Sequence, residues 1–302
     1  MRRTGTNGAA GGFSVISEIL HAHSGVHFIG IGGIGMSGVA KCLLSQGVQV
    51  TGSDAQTTPT TEQLSVLGAR IRLGHDSAAI HPGLSYVVYS AAVRDDNPEL
   101  RRAKELGVPT LKYAQMLGRL LNEKDGIAVS GCHGKTTTTG MISHVLTAAG
   151  LDPTYVIGGH IPCLGGSSRI GQGRFFVAEA CEYDRSFHNF SPKVAVVNNV
   201  DADHLDYYRD IEEIIESFAR FVATVPEDGL IVVSADDENV RPMIAASCKN
   251  RFTSAGTRSR RAAMRPCSVG GTPMGCPGTE TQVPPSRTTR PVAISARTNS
   301  ST

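Results

Sequence analysis

Short runs of apolar residues recur along the chain, each followed by a stretch in which apolar positions return every three or four residues. The first kind reads as a strand buried on both faces, the second as a helix with one buried stripe. After a short helix over Phe13–Ala22, the pattern predicts a strand at Val26–Gly30, a helix at Met36–Gln46 and a strand at Gln49–Gly52. A helix at Thr61–Leu67, a strand at Tyr86–Ser90 and a helix at Pro98–Leu106 follow. The alternation then restarts with a strand at Gly126–Ser130, a helix at Lys135–Ala149, and strands at Phe175–Glu179 and Val194–Val197. Asp210–Thr224 carries Ile211, Ile214, Ile215, Phe218, Phe221 and Val222 on one stripe, and Leu230–Ser234 is a last strand. Strands alternating with helices predict an α/β fold of parallel, doubly wound sheets: a Rossmann-like unit at 25–122 and a second parallel-sheet unit at 123–253.

Outside these units the character changes. Residues 1–24 read as an N-terminal extension. From Ser254 to Thr302 there is no Leu and no aromatic residue, but six Pro. That segment has too little apolar surface to offset the entropy of ordering and is expected to be a disordered tail. Its seven Arg against one acid make it +6, whereas Met1–Thr253 has 22 basic and 26 acidic residues. A mildly acidic body argues against nucleic-acid binding. The seven cysteines form no CxxC pair and suit reduced thiols better than disulfides or a zinc site. No run approaches the roughly 20 apolar residues of a membrane span, so the expectation is a cytoplasmic protein without membrane insertion.

Two loops carry chemistry. Gly30-Ile31-Gly32-Gly33-Ile34-Gly35 follows a strand and opens a helix. Gly30 allows a tight turn, Gly32 lets a diphosphate approach the backbone, and Gly35 allows close helix–strand packing. Asp54, 19 residues past Gly35, ends the next strand, where an acid accepts a ribose hydroxyl. NAD and a UDP-sugar both satisfy this motif, and packing alone would also use such glycines. The second loop, Ser130-Gly131-Cys132-His133-Gly134-Lys135-Thr136-Thr137, is a short phosphate loop, which makes 123–253 an expected P-loop-type ATPase domain. Its N–H groups wrap a triphosphate, Lys135 reaches the β- and γ-phosphates, and Thr136 joins a Mg²⁺ shell. Glu179 and His204 follow neighbouring strands and converge there as metal-holding side chains. Singly, Glu179 reads as a helix-cap acid and His204 as a surface histidine.

The blocks GCHGKTTTT, FVAEACEYDRSF and VNNVDADHLDYY, in this order and spacing, resemble the central domain of the Mur ligases. HFIGIGGIGMSGVA, GSD and VVYSAAVRDDNPEL are similar to the branch that joins L-alanine to UDP-N-acetylmuramate in peptidoglycan precursor synthesis. The resemblance implies that Gly30, Gly32, Gly35, Ser53, Asp54 and Ser90 surround the UDP-sugar. It implies that Gly131, Cys132, His133, Gly134, Lys135, Thr136 and Thr137 bind ATP. It further implies Lys135, Glu179 and His204 as the catalytic set, with Thr136 and Glu179 on one Mg²⁺ and His204 on a second metal ion. Cys132 stands where the family more often has threonine, with little expected effect. The resemblance runs from about Val26 to Thr253, and the family's third domain is not recognisable in the tail, which has the look of a shifted reading frame. The competing expectations are a binding fragment that holds UDP-sugar and ATP without turnover, and a nicotinamide dehydrogenase, which would leave Lys135 and the metal acids without a role.

Overall fold

The computed structural model describes residues 15–21, 25–246 and 251–255. The first elements are α1 (Val15–His21), β1 (Gly25–Ile29), α2 (Ile34–Ser45), β2 (Val50–Asp54), α3 (Pro59–Val66), β3 (Arg70–Leu73), β4 (Leu84–Tyr89), α4 (Pro98–Glu105), β5 (Thr110–Lys112) and α5 (Tyr113–Asn122). They build a five-stranded, wholly parallel sheet in the order β3-β2-β1-β4-β5. The order reverses between β1 and β4, and the loop after β1 opens at that switch point, where α/β sheets bind ligands.

The chain continues with β6 (Asp125–Ser130), α6 (Lys135–Ala148), β7 (Thr154–Ile161), β8 (Gly166–Arg169), β9 (Phe175–Glu179), β10 (Val194–Val197), α7 (Ile211–Val222), β11 (Leu230–Ser234), α8 (Val240–Ala246) and β12 (Arg251–Ala255). These strands form a seven-stranded sheet, β12-β11-β10-β6-β9-β7-β8. All neighbours are parallel except β7 and β8, which pair antiparallel. The second sheet is therefore mixed rather than parallel, a correction to the sequence expectation. The cause is local: Pro162–Leu164 make a 3₁₀ turn closed by Gly165 at φ 69°, which folds β8 back on β7. β8, with the sequence GSSR, has no strand signal of its own and exists by pairing.

The termini of the helices follow their sequences. Asn97 caps α4, accepting from the N–H groups of Glu99 (2.9 Å) and Leu100 (3.2 Å), with Pro98 at the first helical position. Asp210 caps α7 through the N–H of Glu213 (2.9 Å), and Ile214, Phe218, Phe221 and Val222 are buried, with Ile211 and Ile215 partly so. Cutting Phe218 or Phe221 to Ala would cost about 3–5 kcal/mol.

One hydrophobic cluster joins the two sheets. It runs from Val26, Phe28 and Leu43 through Leu117 and Leu121 to Val156, Phe187 and Phe218. α2 packs on the second sheet through Gly38, where an added Cβ would lie 2.9 Å from Val156 Cγ1. β12 extends to Ala255, two residues past the boundary expected at Thr253. The expected N-terminal extension, residues 1–24, falls outside the described residues except for α1, and the remainder of the expected disordered tail lies outside them too.

Candidate functional site

Three neighbouring strands of the second sheet, β10, β6 and β9, deliver their carboxyl ends to one edge. The loop after β6 turns twice through left-handed backbone, at Gly131 (φ 129°) and Gly134 (φ 78°), which favours glycine at both. Gly134 is the N-cap of α6 without any side-chain cap, so the first turn of the helix offers its N–H groups to an anion. Asn198 and Asn199, after β10, brace this loop. Asn199 Oδ1 accepts from the His133 N–H (2.8 Å), and both amide groups donate to the His133 carbonyl (3.2 Å each). A Cβ on Gly131 would lie 3.0 Å from Asn198 Cβ.

Cys132 is buried; its thiol donates to Asp201 O (3.3 Å) and accepts from Asp201 N–H (3.2 Å). Burial pushes this thiol up to about 11, so it is an inert stitch between loops. His133 is exposed beside Asp201 (3.7 Å).

Lys135, the first residue of α6, is folded back over its own loop. Its ammonium donates to Gly131 O (2.7 Å), Cys132 O (3.3 Å) and both oxygens of Glu182 (2.8 and 2.9 Å). Glu182 is buried and also meets His204 Nε2 at 3.4 Å. His204 sits in left-handed backbone (φ 56°), a costly conformation for a non-glycine residue and one that clusters at functional sites. Glu179 faces the other way: its Oε1 accepts from Gly158 N–H (2.6 Å). Thr136 Cγ2 would touch a Cβ on Gly159 at 3.1 Å, so Thr136 and Glu179 both meet the Gly158–Gly159 step of β7. The structure thus brings Lys135, Thr136, Glu179 and His204 to one edge, with Thr136 and Glu179 on one flank and His204 on the other.

Among the described residues no three His, Cys, Asp or Glu side chains converge as a ready metal cage. The hydroxyl and carboxylate of Thr136 and Glu179 are nevertheless the hard oxygen donors that Mg²⁺ takes when phosphates and water complete its shell.

The first loop is built differently. Gly30 (φ 80°) and Ile31 donate their N–H groups to Ser53 O (2.9 and 3.1 Å). Gly32 N–H donates to Asp54 Oδ2 (2.8 Å), and a Cβ on Gly32 would collide with that carboxylate at 2.8 Å. Gly35 faces the ring of Tyr113 at the start of α5, so its room is needed by a neighbouring helix. Ser90 Oγ lies 3.9 Å from where a Gly30 Cβ would stand. Ser53 points inward: it is fully buried, donates to Glu99 Oε2 (2.6 Å) and pairs with His75 Nδ1 (3.0 Å). Glu99 also accepts from Asp76 N–H (3.3 Å) and lies 3.5 Å from His27 Nε2. Burial pushes the Glu99 carboxyl up, but the adjacent His27 ring and the hydrogen bond from Ser53 outweigh it, so the group lies below the usual carboxylate range.

The comparisons complete the picture. Residues 25–125 match the Mur ligase family catalytic domain, and residues 129–269 match the Mur ligase middle domain. A solved ligase from Neisseria meningitides, described as UDP-N-acetylmuramate:L-alanyl-gamma-D-glutamyl-meso-diaminopimelate ligase, is 31% identical with a TM-score of 0.69; the match covers 76% of this chain and 77% of that one. The chain belongs to the Mur ligase family. The UDP-N-acetylmuramate–L-alanine ligase of Acetivibrio thermocellus is 52% identical over 216 residues, 71% of this chain and 46% of that protein. That of Geotalea daltonii is 49% identical over 231 residues, 76% of this chain and 50% of the relative. The solved UDP-N-acetylmuramate-alanine ligase of Thermotoga maritima is 34% identical with a TM-score of 0.66, covering 77% of this chain and 53% of that one. The chain spans about half the length of the curated relatives it matches. The middle-domain match runs past Thr253, where the resemblance is expected to end from sequence. Among the described residues no helix is long and apolar enough to cross a membrane.

Glu182, Asn198, Asn199 and Gly158–Gly159 have no assigned role in the sequence reading. Glu182 stands only three residues after Glu179, in a loop where an acid reads as solvated. Glu99 is equally hidden, since at a helix start after Asn97-Pro98 an acid reads as a dipole partner.

Proposed function

We propose that this chain carries the nucleotide-binding half of an ATP-dependent ligase that joins L-alanine to UDP-N-acetylmuramate through an acyl phosphate. The UDP-sugar is bound by residues 25–122 and ATP by residues 123–253. The observation that carries the reading is the gathering of Lys135, Thr136, Glu179 and His204 at one edge, behind the Gly131–Gly134 loop, in a chain of this family. The relatives of both kinds are named for UDP-N-acetylmuramate and differ in the amine; higher identity to the L-alanine ligases supports L-alanine here.

The loop's N–H groups and Lys135 hold the β- and γ-phosphates, which keeps the γ-phosphoryl group facing the sugar's carboxylate. A carboxylate oxygen bonds to the γ-phosphorus as the bond to the bridging oxygen breaks and ADP departs. The amine nitrogen then bonds to the acyl carbon, phosphate leaves with the electron pair, and the nitrogen gives up a proton. Mg²⁺, when held by Thr136 and Glu179, supplies charge screening between the two anionic reactants. Gly30, Gly32, Asp54 and Ser90 form the sugar-nucleotide cradle, with Gly35 making room for Tyr113 behind it and Ser53 supporting it from below.

Calorimetry on the full chain tests the reading. It should bind UDP-N-acetylmuramate and ATP separately, and NAD not at all. Tight NAD binding with no response to UDP-N-acetylmuramate would overturn it.

A further inference from the structure

Glu182 links the ends of three strands. It follows β9, holds Lys135 from the loop after β6 with both oxygens, and meets His204 from the loop after β10. Its backbone is held as well, since the Tyr208 hydroxyl donates to Glu182 O (2.5 Å). Both Glu182 and Tyr208 are buried, so this carboxylate has little freedom to turn away.

The consequence lies in hydrogen-bond arithmetic. A lysine ammonium has three donor hydrogens, and here it serves four acceptors: two on Glu182, one on Gly131 and one on Cys132. A phosphate oxygen can bind Lys135 only by displacing one of them, and it arrives close to a buried negative charge. Repulsion at that range in a partly desolvated site opposes binding.

We propose that Glu182 is a positioning residue for the transfer reaction: it holds Lys135 and His204 in register and competes with the nucleotide's phosphates for Lys135. This rests on the ATP reading above. The loop binds phosphate less tightly than its donors alone would allow, in return for a lysine and a histidine held in one geometry across three strand ends. Glu182 is not in the catalytic set implied by Lys135, Glu179 and His204.

The test is binding of ATP without divalent metal, by calorimetry on the full chain, with thermal melts to establish that each variant is folded. Glu182→Gln keeps the shape and removes the charge, and should bind ATP about tenfold more tightly. Glu182→Asp withdraws the carboxylate by one methylene and should tighten binding to a smaller degree. A counter-ion with a purely structural role would give equal or weaker binding in both. Unchanged or weaker binding by folded Glu182→Gln therefore overturns the proposal, and if that variant does not fold, the same sign rule applied to Glu182→Asp decides. A wild-type chain that binds no ATP removes the proposed function and this inference together. Wild-type binding that is lost in Lys135→Ala but not tightened by either Glu182 variant removes this inference alone.

Discussion

The two glycine loops share a plan, with strand, turn and helix N-terminus at a sheet's switch point, and they differ in where the charge is placed. In the first, an acid from the neighbouring strand, Asp54, takes the Gly32 N–H, and the buried groups beneath, His27, Glu99 and Ser53, form a network that reaches the surface at His75. No lysine belongs to that loop. In the second, the loop opens on Lys135, the first residue of α6; Glu182 from the loop after β9 grips it, while Glu179 at the end of β9 faces Gly158. A glycine loop alone is a neutral cradle suited to holding a diphosphate. The same loop with a cation and opposed carboxylates can also stabilise charge that moves during phosphoryl transfer.

The largest effect that sharpens this contrast is expected from Lys135→Ala. Loss of charge-assisted bonds to two phosphates should weaken ATP binding about 100-fold or more, with UDP-N-acetylmuramate binding unchanged. Calorimetry with both ligands checks it, and equal losses at both loops would break the comparison.

Next is Glu99→Gln, which leaves His27, His75 and Ser53 facing a neutral group and should destabilise the protein by about 3 kcal/mol. The Glu99 carboxyl is held below its ordinary range, so its contribution is fully present above the unfolded-state value, about 4.3, and is lost as pH falls through the folded value. Urea unfolding should therefore show a large difference between wild type and Glu99→Gln at pH 7 and a smaller one near pH 4. A pH-independent difference would mean that shape, not charge, holds the network.

Gly32→Ala places a methyl group against Asp54 and Thr61 and should weaken UDP-sugar binding about tenfold, roughly 1.4 kcal/mol, without touching ATP affinity. The smallest effect is expected from Cys132→Thr, below about twofold in ATP affinity, because the loop binds through its backbone. In the wild type, Cys132 needs a pH approaching about 11 to form thiolate, so an alkylating reagent at pH 8 should label exposed Cys163 well before it. Rapid labelling of Cys132 would show that the second loop opens more readily than its hydrogen bonds imply.

The comparison also separates what could be read from what could not. The central strands β9 and β10 are apolar runs and stand out in the sequence, as do β1 and β4 despite His27 and Ser85, both glycine loops and the α7 stripe. β3, with Arg70 and Arg72, and β8, with Gly166 and two serines, carry no such run and exist through their neighbours. β7 loses its apolar pattern at Gly158–Gly159, the step that receives Thr136 and Glu179.

By itself the sequence determined the α/β alternation, the two loops and the residue types that meet at the second one. These depend on periodicity, glycine conformation and side-chain chemistry, all of which act within a few residues. The tertiary structure alone decided that Glu182 grips Lys135 from 47 positions away and that Glu99 lies beneath Ser53 from 46 positions away. It also turned β8 back on β7 and passed α2 between the sheets. The physical reason is that a buried charge is tolerated only where a partner is delivered to it. Delivery depends on which strand ends the sheet order makes neighbours, a property of the whole chain that no local pattern carries.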